Sequence, residues 1–151
     1  MIEQKDNNNN IDKKNLKGII LGFDFGMRRI GVATGQMLTQ TATPCMTLLA
    51  NNGIPDWQQL DQLVQEWSPV VLVVGLPIHM DGSPQFITEE AQQFAGQLQA
   101  RYRLPLAMVD ERLTSVEARD RLFTEGGYRL LKKSAVDSHA AKIILESWLR
   151  E

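Results

Sequence analysis

The stretch Gly22-Phe23-Asp24-Phe25-Gly26-Met27-Arg28-Arg29-Ile30-Gly31-Val32-Ala33-Thr34-Gly35 decides how the chain is read. The run Ile19-Ile20-Leu21-Gly22-Phe23 leading into it is nearly continuous in apolar residues, which suits a central strand covered on both faces. Asp24 closes that strand, a turn containing Gly26 follows, and Ile30 to Gly35 forms a second strand. An aspartate before a glycine can simply cap a turn, but one that ends a buried strand favours a site role. Asp24 is therefore read as the first ligand of a metal site.

Working outward, Thr43 to Leu49 supplies a third strand, so the first three strands are expected as an antiparallel meander. Asn51 to Asp56 reads as a loop ending in a helix cap. Trp57, Leu60, Leu63, Val64 and Trp67 then recur at helical spacing, with Ser68-Pro69 as the stop. Val70 to Val74 is the most hydrophobic strand of the chain. After a loop, Ser83 is the expected cap and Pro84 the first residue of a helix carrying Ile87, Ala91, Phe94, Ala95, Leu98 and Tyr102 on one stripe. Leu106 to Val109 is a fifth strand running into Asp110-Glu111-Arg112. Thr114 with Glu117 forms a capping-box pattern that starts a third helix ending at Gly126-Gly127. A basic loop, Arg129 to Lys133, leads to a last helix starting near Ser134 or Ala135. An antiparallel meander followed by alternating helices and strands implies a mixed, three-layer α/β fold: five strands and about four helices.

Length and composition agree with one domain. At 151 residues the chain is long enough for one buried core, and its 43% hydrophobic and 23% charged content is that of a globular protein. Residues 1–17, with Asn7-Asn8-Asn9-Asn10, have almost nothing to bury and read as a loose tail ahead of a domain spanning 18–151. No apolar run is long enough to span a membrane, and with no signal-peptide core the expected location is cytoplasmic. The single Cys45 fits a reducing compartment and reads as a small core residue. A net charge of −2 does not mark a nucleic-acid binder, so any such role must rest on a local basic patch.

The acids carry the chemistry. Asp24 ends strand one and Asp110-Glu111 ends strand five, and functional groups in open α/β sheets gather at such carboxyl ends. Strand alternation allows only one of Asp110 and Glu111 on a given face; Glu111 is the choice. Asp137 shares a helical stripe with Ala141, Ile144 and Trp148, which holds it toward the buried side; alternatively it favours the positive end of its helix. Three carboxylates at one edge would repel each other, and a hard, oxygen-preferring divalent cation relieves that. His79 and His139 fit no metal-binding spacing and read as surface or loop residues.

Four ordered motifs then resemble the YqgF family: Gly22 to Gly26 with Arg29 to Ala33; Val74-Gly75-Leu76-Pro77 with Met80 to Ser83; Val109 to Ser115 with Glu117-Ala118; and Val136 to Ala141 with Ile144-Leu145 and Trp148-Leu149. The resemblance implies a ribonuclease H-like fold related to Holliday junction resolvases, and a nuclease acting on pre-16S rRNA. It implies Asp24, Glu111 and Asp137 as catalytic metal ligands, and Mg²⁺ or Mn²⁺ as the cofactor. Two positions depart from the pattern. His79 stands where the family loop usually has asparagine, and Gly75-Leu76-Pro77 supplies no acid where catalytic resolvases of the wider fold carry one at the end of strand four. Glu111 must then use its length to reach the metal, with Asp81 as the reserve ligand.

Arg28, Arg29, Arg112, Lys132 and Lys133 are the expected phosphate contacts. The expected partners are a ribosomal RNA precursor or branched DNA, and ribosomal or transcription proteins, with the chain a monomer or homodimer. Two other classes compete: a phosphate-binding hairpin of the actin-like ATPase kind, which would need a second domain, and a non-catalytic adaptor that works by binding.

Overall fold

The computed structural model describes residues 11–77, 81–83, 85–111 and 133–151, the last segment with side chains from residue 136. Its strands are β1 (Ile20–Asp24), β2 (Arg29–Gln36), β3 (Thr41–Asn51), β4 (Ile54–Pro55), β5 (Val71–Leu76) and β6 (Leu106–Asp110). The helices among the described residues are α1 (Trp57–Trp67), α2 (Phe86–Tyr102) and α3 (Lys133–Leu149). One sheet runs in the order β4-β3-β2-β1-β5-β6. β1, β2 and β3 pair antiparallel, while β5 and β6 run parallel to β1. The mixed, ribonuclease H-like α/β architecture is thus the observed one.

Side-chain alternation divides the core into two layers. Leu21, Phe23, Ile30, Val32, Leu72 and Val74 face one side, where they meet Leu60 and Leu63 of α1 and Phe94 and Leu98 of α2. Ile20, Ala33, Val71, Val73, Ala107 and Val109 face the other, under Ala141, Ile144, Leu145, Trp148 and Leu149 of α3. β1 and β5 are buried on both faces, which is why their sequences are unbroken apolar runs and not alternating ones.

The sheet has six strands where five are expected from sequence. The sixth is the two-residue β4, which pairs Pro55 with Ala50 and Ile54 with Asn51. Asn52 and Gly53 turn the chain between them with φ of 51° and 81°, the left-handed backbone that an Asn-Gly hairpin needs. β3 also extends beyond Thr43–Leu49, and its register against β2 shifts between Val32 and Ala33, opposite Met46 and Pro44. A proline without an N–H is accommodated at such an irregularity.

Asp56 caps α1 as expected, accepting from the N–H groups of Gln58 at 3.1 Å and Gln59 at 3.3 Å. α2 starts at Phe86, two residues later than Pro84. Ser83 is committed elsewhere, its N–H and hydroxyl both donating to Asp81 Oδ1. Gln85 takes the cap position instead, its N–H donating to Thr88 Oγ1 at 2.8 Å. The helix expected from Thr114 and the basic loop as far as Lys132 lie outside the described residues. Residues 11–17, part of the tail expected from composition, include a short 3-10 turn at Lys13–Asn15. Lys13 Nζ donates to the Trp148 carbonyl at 2.6 Å and lies over the Trp148 ring.

Candidate active site

Asp24 is aimed by its neighbours. Phe23 and Phe25 are buried on the α1/α2 side, their rings 5.7 Å and 5.2 Å from that of Phe94. Alternation therefore places Asp24 with Ile20 and Gly22 on the α3 side. Gly31 of β2 is its register partner, and a Cβ built on Gly31 would collide with the Asp137 carbonyl. The bare backbone at Gly31 lets the first turns of α3 settle directly on the sheet, next to Asp24.

Glu111 comes from two strands away. β5 lies between β1 and β6, a separation of roughly 10 Å at usual strand spacing. Val109 faces α3, so Glu111, two residues on, faces the same side, whereas Asp110 is exposed. The Glu111 side chain crosses above Gly75, its Oε2 only 2.7 Å from where a Gly75 Cβ would stand. At the far side the Glu111 and Asp24 carboxyls hydrogen-bond to each other.

Two acids in that contact cannot both ionise easily. Burial pushes Asp24 up to about 7, with the Asp137 charge adding to the rise and the bond from Glu111 opposing it. Burial pushes Glu111 up to about 9, and the Asp24 charge, the Asp24 hydrogen bond and the Asp110 charge all add. Two carboxyls in hydrogen-bond contact need a proton between them, and burial of both, the cause common to the two rises, keeps it bound to the pair.

Asp137 stands alongside without joining the pair. Its Oδ2 accepts from Arg29 Nε at 2.7 Å. Among the described residues no three His, Cys, Asp or Glu side chains are disposed around one ion. Asp24 and Glu111 nonetheless suit a hard divalent cation: both are oxygen donors, both are largely buried, and burial with neighbouring negative charge disfavours their ionised forms unless a cation offsets it.

The basic residues divide. Arg28 is exposed beside the site; Arg29 is half-buried on Asp137. Lys133 opens α3, while Arg112 and Lys132 lie outside the described residues, as does His79. Asp81 is exposed on the loop after β5, with Oδ1 held by Ser83. His139 is helical and half-buried, not the surface or loop residue expected from sequence. What sequence reasoning missed is Gly75 and Gly31; the one available signal was a glycine interrupting an otherwise branched, apolar strand at each place.

A family model described as "RuvX: Holliday junction resolvase" matches residues 18–151. The chain belongs to the RuvX family. It is 53% identical over 129 residues to "Putative pre-16S rRNA nuclease" of Edwardsiella ictaluri, covering 85% of this chain and 92% of that one. Over 135 residues it is 51% identical to the protein of the same name from Legionella pneumophila, covering 89% and 97%. Among solved structures, the yeast mitochondrial Holliday junction resolvase Ydc2 superimposes with a TM-score of 0.57 at 10% identity, covering 97% of this chain and 83% of that one. T. thermophilus RuvC in complex with a Holliday junction substrate gives 0.52 at 10% identity, covering 85% and 92%. At that identity these two share the RuvX chain's fold. None of the described helices is long and apolar enough to cross a membrane.

Proposed function

We propose that this chain is a cytoplasmic, divalent-metal-dependent endonuclease that hydrolyses phosphodiesters of nucleic acid, its substrate being the pre-16S rRNA precursor. The observation that supports the reading is the close acid pair Asp24–Glu111 at the carboxyl edge of the sheet, the Glu111 carboxyl lying over Gly75, in a chain of the RuvX family. A fold-stabilising role would not favour this arrangement, since two buried acids in contact destabilise unless something neutralises them.

Asp24 and Glu111 would hold Mg²⁺ or Mn²⁺, with Asp137 as the third ligand once it leaves Arg29. When bound, the ion supplies Lewis-acid stabilisation of charge on the phosphate oxygens. The Asp24–Glu111 pair would release its shared proton to solvent when the ion is bound. Arg28, exposed at the turn after β1, orients the phosphate backbone without reading sequence, as do Arg112, Lys132 and Lys133. Arg29, which donates to Asp137, would also contact a phosphate.

The test is cleavage of a pre-16S rRNA precursor and of a four-way DNA junction side by side in Mn²⁺, with wild type and Asp24→Asn. Cleavage of the precursor that disappears in Asp24→Asn is expected. Cleavage of the junction alone would instead support the resolvase reading that the family description favours. Equal cleavage by Asp24→Asn would remove the acid pair from the mechanism, and no cleavage of either substrate would favour an adaptor.

A further inference from the structure

We infer that Gly75 is a positioning residue: its missing side chain is the track along which Glu111 crosses β5 to reach Asp24. The inference deepens the site described above and rests on that reading for its functional meaning, though the contact itself is independent of any activity. Three observations converge on it. Phe23 of β1 pairs with Val74 of β5, so Gly75 follows directly at the level of Asp24. Gly75 also pairs with Val109 of β6, two residues before Glu111 and on the same face. Finally, a Cβ at Gly75 would stand 2.7 Å from Glu111 Oε2 and 2.9 Å from its carboxyl carbon, closer than real Cβ contacts come.

Every other β5 residue on this face, Val71 and Val73, is branched and fully packed under α3. A valine at position 75 would continue that pattern and fill the space the carboxyl occupies. β5 gives up apolar packing on this face at position 75, and Glu111 lies there instead. Position 75 is also where an acid could have been placed next to Asp24 directly. The chain supplies the second carboxylate from β6 and leaves β5 bare beneath it. Ile144 Cδ1 lies 2.7 Å from the same notional Cβ, so Gly75 also sets how closely α3 sits, and an experiment has to separate the two.

The carboxyl carbon resonance of Glu111, followed at fixed pH with and without Asp24→Asn, reports the contact directly and needs neither metal nor substrate. In the wild-type background it is expected to move on Asp24→Asn; in the Gly75→Ala background that response should fall several-fold. Gly75→Ala with Ile144→Ala restores room for the helix, and the response should stay lost. An unchanged response in Gly75→Ala, or none in wild type, overturns the inference, and so does recovery in the double variant, which would assign the effect to helix packing. Mn²⁺ affinity, by calorimetry, should fall about 10- to 100-fold in Gly75→Ala. It should fall no further when Gly75→Ala is added to Glu111→Gln, since the two act through one group. A protein that keeps the resonance behaviour but neither binds Mn²⁺ nor cleaves nucleic acid would retain Gly75 as the positioning residue and sink the nuclease reading alone.

Discussion

Arg29 and Asp137 face each other across the β2–α3 contact, Nε to Oδ2 at 2.7 Å, with Arg29 at the first position of β2 and Asp137 in the second turn of α3. The pair is partly open to solvent, its side chains 37% and 24% exposed, so its contribution to stability is modest. Its electrostatic consequence is larger, because the charge that Arg29 balances is the same one that raises Asp24. Arg29→Gln is therefore expected to lower stability by no more than about 1 kcal/mol while strengthening Mn²⁺ binding, since Asp137 is released. If Arg29 also holds phosphate, KM rises in the same variant. Calorimetric titration with Mn²⁺ checks the first effect; weaker binding than wild type would mean that Arg29 orders Asp137 for the ion.

The proton shared by Asp24 and Glu111 ties stability to pH. Raised to about 7 and about 9, the folded acids bind protons that the unfolded chain has already lost. Above the ordinary carboxyl range, near 4, the folded state holds more protons than the unfolded one. Stability of the metal-free protein should then fall as pH climbs from there, and level off once pH passes about 9. Asp24→Asn removes the titration of Asp24 itself and the charge that adds to the rise of Glu111, and should flatten part of that slope, the rise that burial gives Glu111 remaining. Urea midpoints at several pH values in chelator measure it, and an equal slope in the variant would show that other groups cause it.

Metal binding should run the opposite way. A cation taken by Asp24 and Glu111 displaces their proton, so Mn²⁺ affinity is expected to rise between pH 7 and pH 9 with proton release, the window set by the two raised acids. Comparing calorimetric heats in buffers of different ionisation enthalpy counts the protons. Affinity flat across that window would place the ion elsewhere.

The sequence carried different parts of this arrangement with different clarity. Unbroken apolar runs at Ile20–Phe23 and Val71–Val74 mark strands buried on both faces, and alternation alone separates Glu111 from Asp110. The two-residue β4 is too short for periodicity to mark, although Asn52-Gly53 is a hairpin signal. The start of α2 shifted because a competing partner, Asp81, holds Ser83. Least legible is what an absent side chain permits. Gly31 and Gly75 have no pattern of their own, and their meaning appears only when Asp137 and Glu111 are seen lying over them.

Gly31→Ala should therefore be costly out of proportion to one methyl group. The obstruction is the Asp137 backbone and not a flexible side chain, so α3 must move as a unit. Overpacking of this sort costs about 1–3 kcal/mol, and the upper end is expected here. Cleavage should fall as well, because the same movement carries Asp137 from Asp24. A urea denaturation curve indistinguishable from wild type would mean that α3 docks more loosely than the close contact at Gly31 implies.

Glu111→Asp is the strictest test of reach. The substitution keeps the charge and the buried face but shortens the side chain by one carbon, about 1.5 Å, over a path that spans the full width of β5. The shorter carboxylate would stop above Gly75, short of Asp24. Glu111→Asp is thus expected to lose cleavage as completely as Glu111→Gln. In metal-free protein Asp24 should titrate at higher pH than in wild type, since burial and the Asp137 charge still push it up while the hydrogen bond from Glu111 that opposes them is lost. Near-wild-type cleavage by Glu111→Asp would show that the carboxylate need not touch Asp24, and that the ion sits nearer β6 than the shared proton indicates.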